Sequence, residues 1–151
     1  MIQRFENIHL KQVQTGREID GGMHLDISDN RLSDASIRFF ADLIGKFSGF
    51  RSVNMSNLNQ AASSGNTGYF ELAKALRENT SLIELDLRHN SITEKELQSL
   101  FQALADNHVL SDLKIEVKQR KLPTLFSSYP LQSMSEFHHS VENINLDLNT
   151  H

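Results

Sequence analysis

An apolar pattern recurs along this chain at an interval of about 28 residues. Residues 82–93 read LIELDLRHNSIT, which gives L-x-x-L-x-L-x-x-N, numbered here as positions one to nine from the first leucine. Such a unit cannot bury its apolar side alone, so successive units must stack. The fourth positions of five copies, separated by 28, 32, 28 and 31 residues, are Leu25, Val53, Leu85, Leu113 and Ile144.

Segments with helical periodicity separate these copies. SDASIRFFADLIGKF and TEKELQSLFQALADN carry apolar residues at helical spacing. Each begins with an N-cap residue, Ser33 or Thr93, and Glu96 completes a capping box with Thr93. Asn79 follows the segment FELAKALRE and Asn107 follows the segment that begins after Thr93, where we expect a left-handed residue to end each helix. The unit is therefore strand, loop, helix and loop, with parallel strands whose fourth and sixth positions point toward the helices.

This pattern resembles that of the leucine-rich repeat proteins, in particular the long-repeat, ribonuclease-inhibitor-like subtype. Residues 82–92 match the family's L-x-x-L-x-L-x-x-N/C-x-L at every fixed position. The resemblance implies an α/β fold: a right-handed leucine-rich repeat solenoid of about five units, with a parallel sheet on the concave side and helices on the convex side. It also implies that the ninth-position asparagine hydrogen-bonds backbone groups of its own and neighbouring turns. The residues at that position are Asn30, Asn90 and Asn149.

The whole chain, 1–151, is predicted to form a single domain. Residues 1–21 are expected to be an atypical N-terminal cap, with a hairpin through QTGRE, and residues 22–118 to be regular repeats. Residues 119–151 are expected to contain an irregular connection, a short helix at about 135–140 and a last strand. The long segment NQAASSGNTG after Leu58 is typical of a mobile loop. Departures from the repeat occur at Gly22, Leu58 and Lys118.

Composition narrows the classes of function. The chain has 15 basic and 19 acidic residues, and its one short basic block is KQRK at 118–121, so we expect no nucleic-acid partner. No apolar run approaches the ~20 residues of a bilayer span, and the first residues lack the features of a Sec-type signal peptide. We therefore predict a cytoplasmic protein without membrane contact, with other export routes left open.

The sequence offers little to catalysis. It contains no cysteine, which excludes disulfides, thiolate zinc sites and cysteine nucleophiles. His138 and His139 are adjacent, a spacing that points them in different directions on a helix, and no nucleophile-elbow, phosphate-loop or zinc-protease motif occurs. We expect no enzyme activity, no cofactor and no metal.

Polar side chains occupy the third and fifth positions, which should face away from the helices. Their acidic bias favours a partner protein with a basic surface through steering and specificity, although charges on a solvated strand need no function. The first hypothesis is thus a non-catalytic protein-interaction module, a monomer or weakly self-associating. Its predicted contact residues are His24, Asp26, Asn54, Glu84, Asp86, Arg88, Asp112 and Lys114.

Two alternatives stay open. Some proteins of the ribonuclease-inhibitor-like group act on small GTPases, and the arginines available near strand ends for such a role are Arg31, Arg51 and Arg88. The chain could instead be an architectural subunit of a larger assembly, with Phe126 and Tyr129 covering or joining its C-terminal end.

Overall fold

A computed structural model describes residues 9–13, 22–58, 68–118 and 143–149, and the side chains of 22–58 and 68–115 within them. Between residues 22 and 118, strands and helices alternate as predicted. Most of the predicted loop, the hairpin turn and the whole connection with its short helix lie outside the described residues. The elements are β1 (His9–Val13), β2 (Gly22–Asp26), α1 (Asp34–Lys46), β3 (Phe50–Asn54), α2 (Gly68–Glu78), β4 (Glu84–Asp86), α3 (Glu94–Asp106), β5 (Asp112–Lys118) and β6 (Asn143–Asn149).

The described strands form one sheet in the order β1-β2-β3-β4-β5-β6. Strands β2 to β6 pair in parallel, which confirms the predicted parallel sheet, and helices follow β2, β3 and β4. Strand β1 pairs antiparallel with β2, with Val13 opposite Gly22. The fourth positions of the five parallel strands lie side by side in register, so the period of the sequence becomes one continuous row across the sheet.

The core lies between this sheet and the three helices. Because side chains alternate across a strand, residues two apart share one face. The fourth- and sixth-position residues of the strands belong to one hydrophobic cluster with helix residues such as Ile37, Leu72 and Phe101, which confirms that they face the helices. The fourth- and sixth-position residues that are at most 2% exposed are Leu25, Ile27, Val53, Met55, Leu85, Leu87, Leu113 and Ile115.

The helix starts follow the predicted capping chemistry. The Ser33 hydroxyl accepts a hydrogen bond from the backbone N–H of Ser36. At α3 the capping box is complete, because Thr93 Oγ1 accepts from Glu96 N and Glu96 Oε1 accepts from Thr93 N at 2.9 Å. These bonds satisfy N–H groups that have no partner inside the helix.

The predicted left-handed helix ends at Asn79 and Asn107 are wrong. Asn107 has φ −98° and ψ 124°, and Asn79 is not among the described non-glycine residues with positive φ, which are Asp29, Asn57 and His89. The amide side chains instead bond to the helix of the preceding unit. Asn79 Nδ2 donates to Ile44 O and Asn107 Nδ2 donates to Leu76 O, each at 2.7 Å, so each asparagine holds the last turn of the preceding helix.

The ninth-position asparagines bond at the other edge of the unit, where the chain leaves the strand. Asn90 Nδ2 donates to Met55 O and Leu87 O, and its Oδ1 accepts from Leu58 N at 2.9 Å. Asn90 thus ties its own turn to the preceding one. In that preceding turn the ninth position is Leu58, which has no side-chain amide. Asn30 donates to the carbonyls of Ile27 and Ser28 in its own turn. The side chain of Asn149 lies outside the described set.

Candidate functional site

Two rows of polar side chains cross the face of the sheet opposite the helices, which we call the strand face. Strand pairing aligns each residue with its equivalent in the next strand. All eight are half-buried, as expected for side chains standing on a sheet open to solvent. The third-position row is His24, Ser52, Glu84 and Asp112, and the fifth-position row is Asp26, Asn54, Asp86 and Lys114.

These rows meet in one shallow depression. Of the eight predicted contact residues, the structure brings together six, while Asp26 and Arg88 do not line the depression. Ser52, which the prediction omitted, belongs to it and pairs with His24 through an Nδ1 to Oγ distance of 2.8 Å. The six predicted residues that line it are His24, Asn54, Glu84, Asp86, Asp112 and Lys114.

The fifth-position oxygens have a structural task that the sequence reasoning missed. Asp26, Asn54 and Asp86 each accept a hydrogen bond through Oδ1 from the backbone N–H two residues later, at 2.9, 3.0 and 3.0 Å. This bond bends the chain out of the strand and satisfies an N–H group that leaves the sheet. The recurrence of Asp or Asn at this position was the available signal.

Arg88 is held against the same strand end. Its Nε donates to Asp86 Oδ1 at 3.1 Å and its Nη2 to Asp86 Oδ2 at 2.8 Å, a two-point pair that offsets the charge of Asp86. The other two arginines considered for a GTPase role lie apart from each other. Arg31 follows the carboxyl end of β2, whereas Arg51 is the second residue of β3 and donates to Ser48 O at the amino end. The three do not form one group.

Glu84 and Asp112 are the two acids of the third-position row, and neither has such an arginine partner. They lie directly opposite each other in strands about 4.8 Å apart, an arrangement of like charges that disfavours folding. Neither takes part in the four ion pairs formed within the described residues, and neither does Lys114. Those pairs are Arg38–Asp34, Lys46–Asp42, Arg77–Asp106 and Arg88–Asp86.

The helix side carries an exposed feature that the sequence reasoning also missed. Phe39, Phe47 and Phe70 are exposed by 58%, 44% and 38%. Phe47 occupies the position of Asn79 and Asn107 at the end of α1, and its ring packs edge-on against Phe50. No described helix precedes α1, so this position has no helix end to bind. The presence of phenylalanine at position 47, where the later units have asparagine, was visible in the repeat alignment.

The described ranges hold no group of three or more histidine, cysteine, aspartate or glutamate residues placed to bind a metal ion. None of α1, α2 and α3 is both long and apolar enough to span a bilayer. Phe126 and Tyr129, on which the assembly alternative depends, are not among the described residues.

Comparison with known proteins bears on the fold and on one unit in particular. Residues 81–103 match the family model described as Leucine Rich Repeat. That match covers β4 and most of α3. A search of curated proteins finds no significant match to the chain.

A solved structure titled "Leiomodin-1 Actin-Binding Site 2 (ABS2)" is similar to this chain. The TM-score is 0.61, the sequence identity is 16%, and the alignment covers 82% of this chain and 70% of that one. Likeness at this identity establishes the fold alone. Together with the family match to residues 81–103, it supports a leucine-rich repeat fold.

Proposed function

We propose that this chain is a non-catalytic module that binds a partner protein through the strand face. The observation that carries the proposal is the register of Glu84 against Asp112, two acids in neighbouring strands with no ion-pair partner among the described residues. A like-charge pair works against folding, and a basic side chain from a partner would remove that repulsion. The proposal includes a right-handed solenoid of about five ribonuclease-inhibitor-like units, with the strand face concave.

The strand face has the rigidity that recognition needs. Backbone hydrogen bonds continue past the strands into the turns, from Ile27 N to Asn54 O and from Met55 N to Asp86 O. The side chains of Asp26, Asn54 and Asp86 are fixed by their bonds to the following N–H groups. A surface ordered in this way loses little conformational entropy on binding, which favours affinity.

The partner surface should be basic at its centre. Glu84 and Asp112 present two carboxylates within reach of one arginine or of two lysines, and the guanidinium geometry favours the arginine. A partner with a uniformly positive surface would meet two basic side chains on this face, Lys114 and Arg88. Lys114 lies diagonal to Glu84, and Arg88 is paired with Asp86. These groups would then discriminate against such partners. Charge complementarity of this kind contributes to association rate and specificity more than to total affinity.

Actin is a reasonable named partner to test, because the similar solved structure carries an actin-binding site in its title. At 16% identity that likeness is a reason for an assay and not for an assignment. The small-GTPase alternative gains no support from the arginines, since Arg88 is engaged by Asp86 and Arg51 lies at the opposite end of the strands.

The test is a quantitative affinity capture with three forms of the full chain. We expect Glu84→Lys/Asp112→Lys to lose the proteins that the wild type retains, while the matched variant Glu71→Lys/Glu78→Lys, with the same charge change on exposed α2 residues, keeps them. Purified actin filaments are tested in parallel by co-sedimentation. Equal retention by all three forms would contradict the assignment to the strand face.

A further inference from the structure

An arginine lies on the strand face outside the two rows of polar side chains. Side chains alternate across β2, so Gly22 shares the face of His24, whereas Met23 packs against the core. A Cβ built on Gly22 would overlap Cγ of Arg51 and lie 2.8 Å from its Cβ. The stem of Arg51 therefore covers Gly22 on the strand face, at the amino end of β2 and two residues along the strand from His24.

Two features of the backbone set this arginine in place. The register between β2 and β3 shifts, because Met23 pairs with Phe50 while His24 pairs with Ser52, which leaves Arg51 as an extra residue. Such bulges re-aim a side chain and are frequent next to functional sites. The glycine that Arg51 covers supplies the space, although glycine inside a strand lowers stability. The parallel pairs from β3 to β6 form without a shift, so stacking does not require this arrangement.

The guanidinium of Arg51 has the donors to bind an acidic group. Arg51 is half-buried, and its Nη1 donates to Ser48 O at 2.9 Å. That bond uses one of the five N–H donors of a planar group whose shape matches a carboxylate. Arg51 takes part in none of the four ion pairs formed within the described residues. The residues at the same second position of the other compared units are uncharged: Met23, Ile83 and Ser111.

Basic residues gather at this end of the third-position row. His24 lies two residues from the glycine that Arg51 covers, and Lys11 of β1 occupies the register position opposite His24. The acid on the same face of β2 is Asp26, whose Oδ1 accepts from the N–H and the hydroxyl of Ser28 at 2.9 and 2.6 Å. Asp26 is thus engaged at the carboxyl end of the strand. The other end of the row holds the two acids of β4 and β5, so the row changes from basic to acidic across the sheet.

We propose that Arg51 and His24 bind a carboxylate of the partner protein, an inference that rests on the proposed function of the strand face. Adjacent strands lie about 4.8 Å apart, so the position of His24 is about 10 Å from that of Glu84 and about 14 Å from that of Asp112. The partner then presents an acidic side chain about 10–14 Å from the basic one that Glu84 and Asp112 receive. Two contacts of opposite charge fix the orientation of the partner on the strand face.

The first experiment uses a defined probe, a capped alanine-rich helical peptide with one arginine and one glutamate seven residues apart. Seven residues span about 10.5 Å of helix and return to the same helix face. Its binding to the full chain is measured by NMR titration against an analogue with glutamine in place of the glutamate. We expect the glutamate peptide to bind the wild type about three- to fivefold more tightly than the analogue. Equal binding of the two peptides, or binding of neither, would overturn the proposal.

Three variants assign that preference to the arginine. Arg51→Met keeps the stem and removes the charge, so the preference for the glutamate peptide should disappear. Gly22→Ala changes no charge but displaces the stem of Arg51, so it should reduce the preference in the same direction. The matched control Lys74→Met removes a charge from an exposed residue of α2 and should keep the preference. Urea denaturation checks that each variant folds; a folded Arg51→Met that keeps the preference would overturn the proposal.

The second experiment tests the chemistry of the bound group in the partner recovered by affinity capture. Arg51→Lys places an amine at position 51, and a zero-length carbodiimide reagent joins an amine to a carboxylate that contacts it. We expect an amide between position 51 and an aspartate or glutamate of the partner, and none from Lys74; the absence of the first product would overturn the carboxylate. Loss of the partner and of both peptides in Glu84→Lys/Asp112→Lys, with no role for Arg51, would overturn this inference alone and leave the proposed function standing.

Discussion

Replacing Asn107 with alanine tests the asparagine side chains, those of Asn79 and Asn107, that join the ends of successive helices. Asn107 is 2% exposed, and both its Nδ2 and its Oδ1 are hydrogen-bonded. Its Nδ2 donates to Leu76 O at 2.7 Å and to Asn79 O at 3.3 Å, and its Oδ1 accepts from the N–H groups of Val109 and Leu110, each at 2.8 Å. The alanine variant removes every one of these bonds and leaves the backbone in place.

The bonds to Leu76 O and Leu110 N are fully buried, so these two groups lose their partner without gaining water. At about 1–3 kcal/mol for each orphaned buried group, the free energy of unfolding should fall by about 2–6 kcal/mol. That is a large share of the 5–15 kcal/mol typical of a domain. Val109 N is only partly buried and should contribute less.

Urea denaturation followed by circular dichroism measures the change, provided that the slope of the transition stays constant. The matched control is Gln102→Ala, an exposed residue on the helix that precedes Asn107, for which we expect a change within about 0.5 kcal/mol. A loss below about 1 kcal/mol for Asn107→Ala, or one equal to that of the control, would refute the Asn107 side-chain bonds as a source of stability.

Three further predictions concern the helix starts. Thr93→Ala removes the acceptor for Glu96 N and should cost about 1 kcal/mol in unfolding free energy by urea titration; no loss would contradict the capping box. Gly68→Ala should cost about 1–3 kcal/mol in the same assay, because its Cβ would meet Ile37 Cγ2 at 2.6 Å; wild-type stability would show that Ile37 yields freely. Burial raises the pKa of Tyr69, which predicts a stability contribution that is present below the ordinary value of 10.0 and is lost as pH rises above it. In that pH range the free energy of unfolding should fall by up to about 1.4 kcal/mol per pH unit. The free energy of unfolding of Tyr69→Phe should fall less steeply.

The parallel sheet could be predicted because its determinants repeat. Leu85 and Leu87 alternate with Glu84 and Asp86, and a side-chain period of two leaves only one way to bury the leucines. The 28-residue offset then brings Leu113 beside Leu85, as the register shows. Local pattern and period together are enough for the core and for the rows of the strand face.

The roles of single polar residues could not be predicted in the same way. An asparagine after a helix suits both a left-handed cap and an inward amide, and the choice at Asn107 depends on Leu76 O, which lies 31 residues away. The sequence likewise predicts Asp86 to be an exposed acid. In the structure its oxygens accept hydrogen bonds from the side chain and the backbone N–H of Arg88. These outcomes depend on neighbours that the local sequence does not show.

Site-specific photocrosslinking tests binding at the strand face most directly. A photoreactive benzophenone side chain is placed at Ser52, in the third-position row, and separately at Lys74, an exposed residue of α2. With the partner recovered by affinity capture, we expect crosslinks from position 52 that disappear in the Glu84→Lys/Asp112→Lys background, and none from position 74. Crosslinks from position 74 with none from position 52 would contradict it and assign recognition to the helix side.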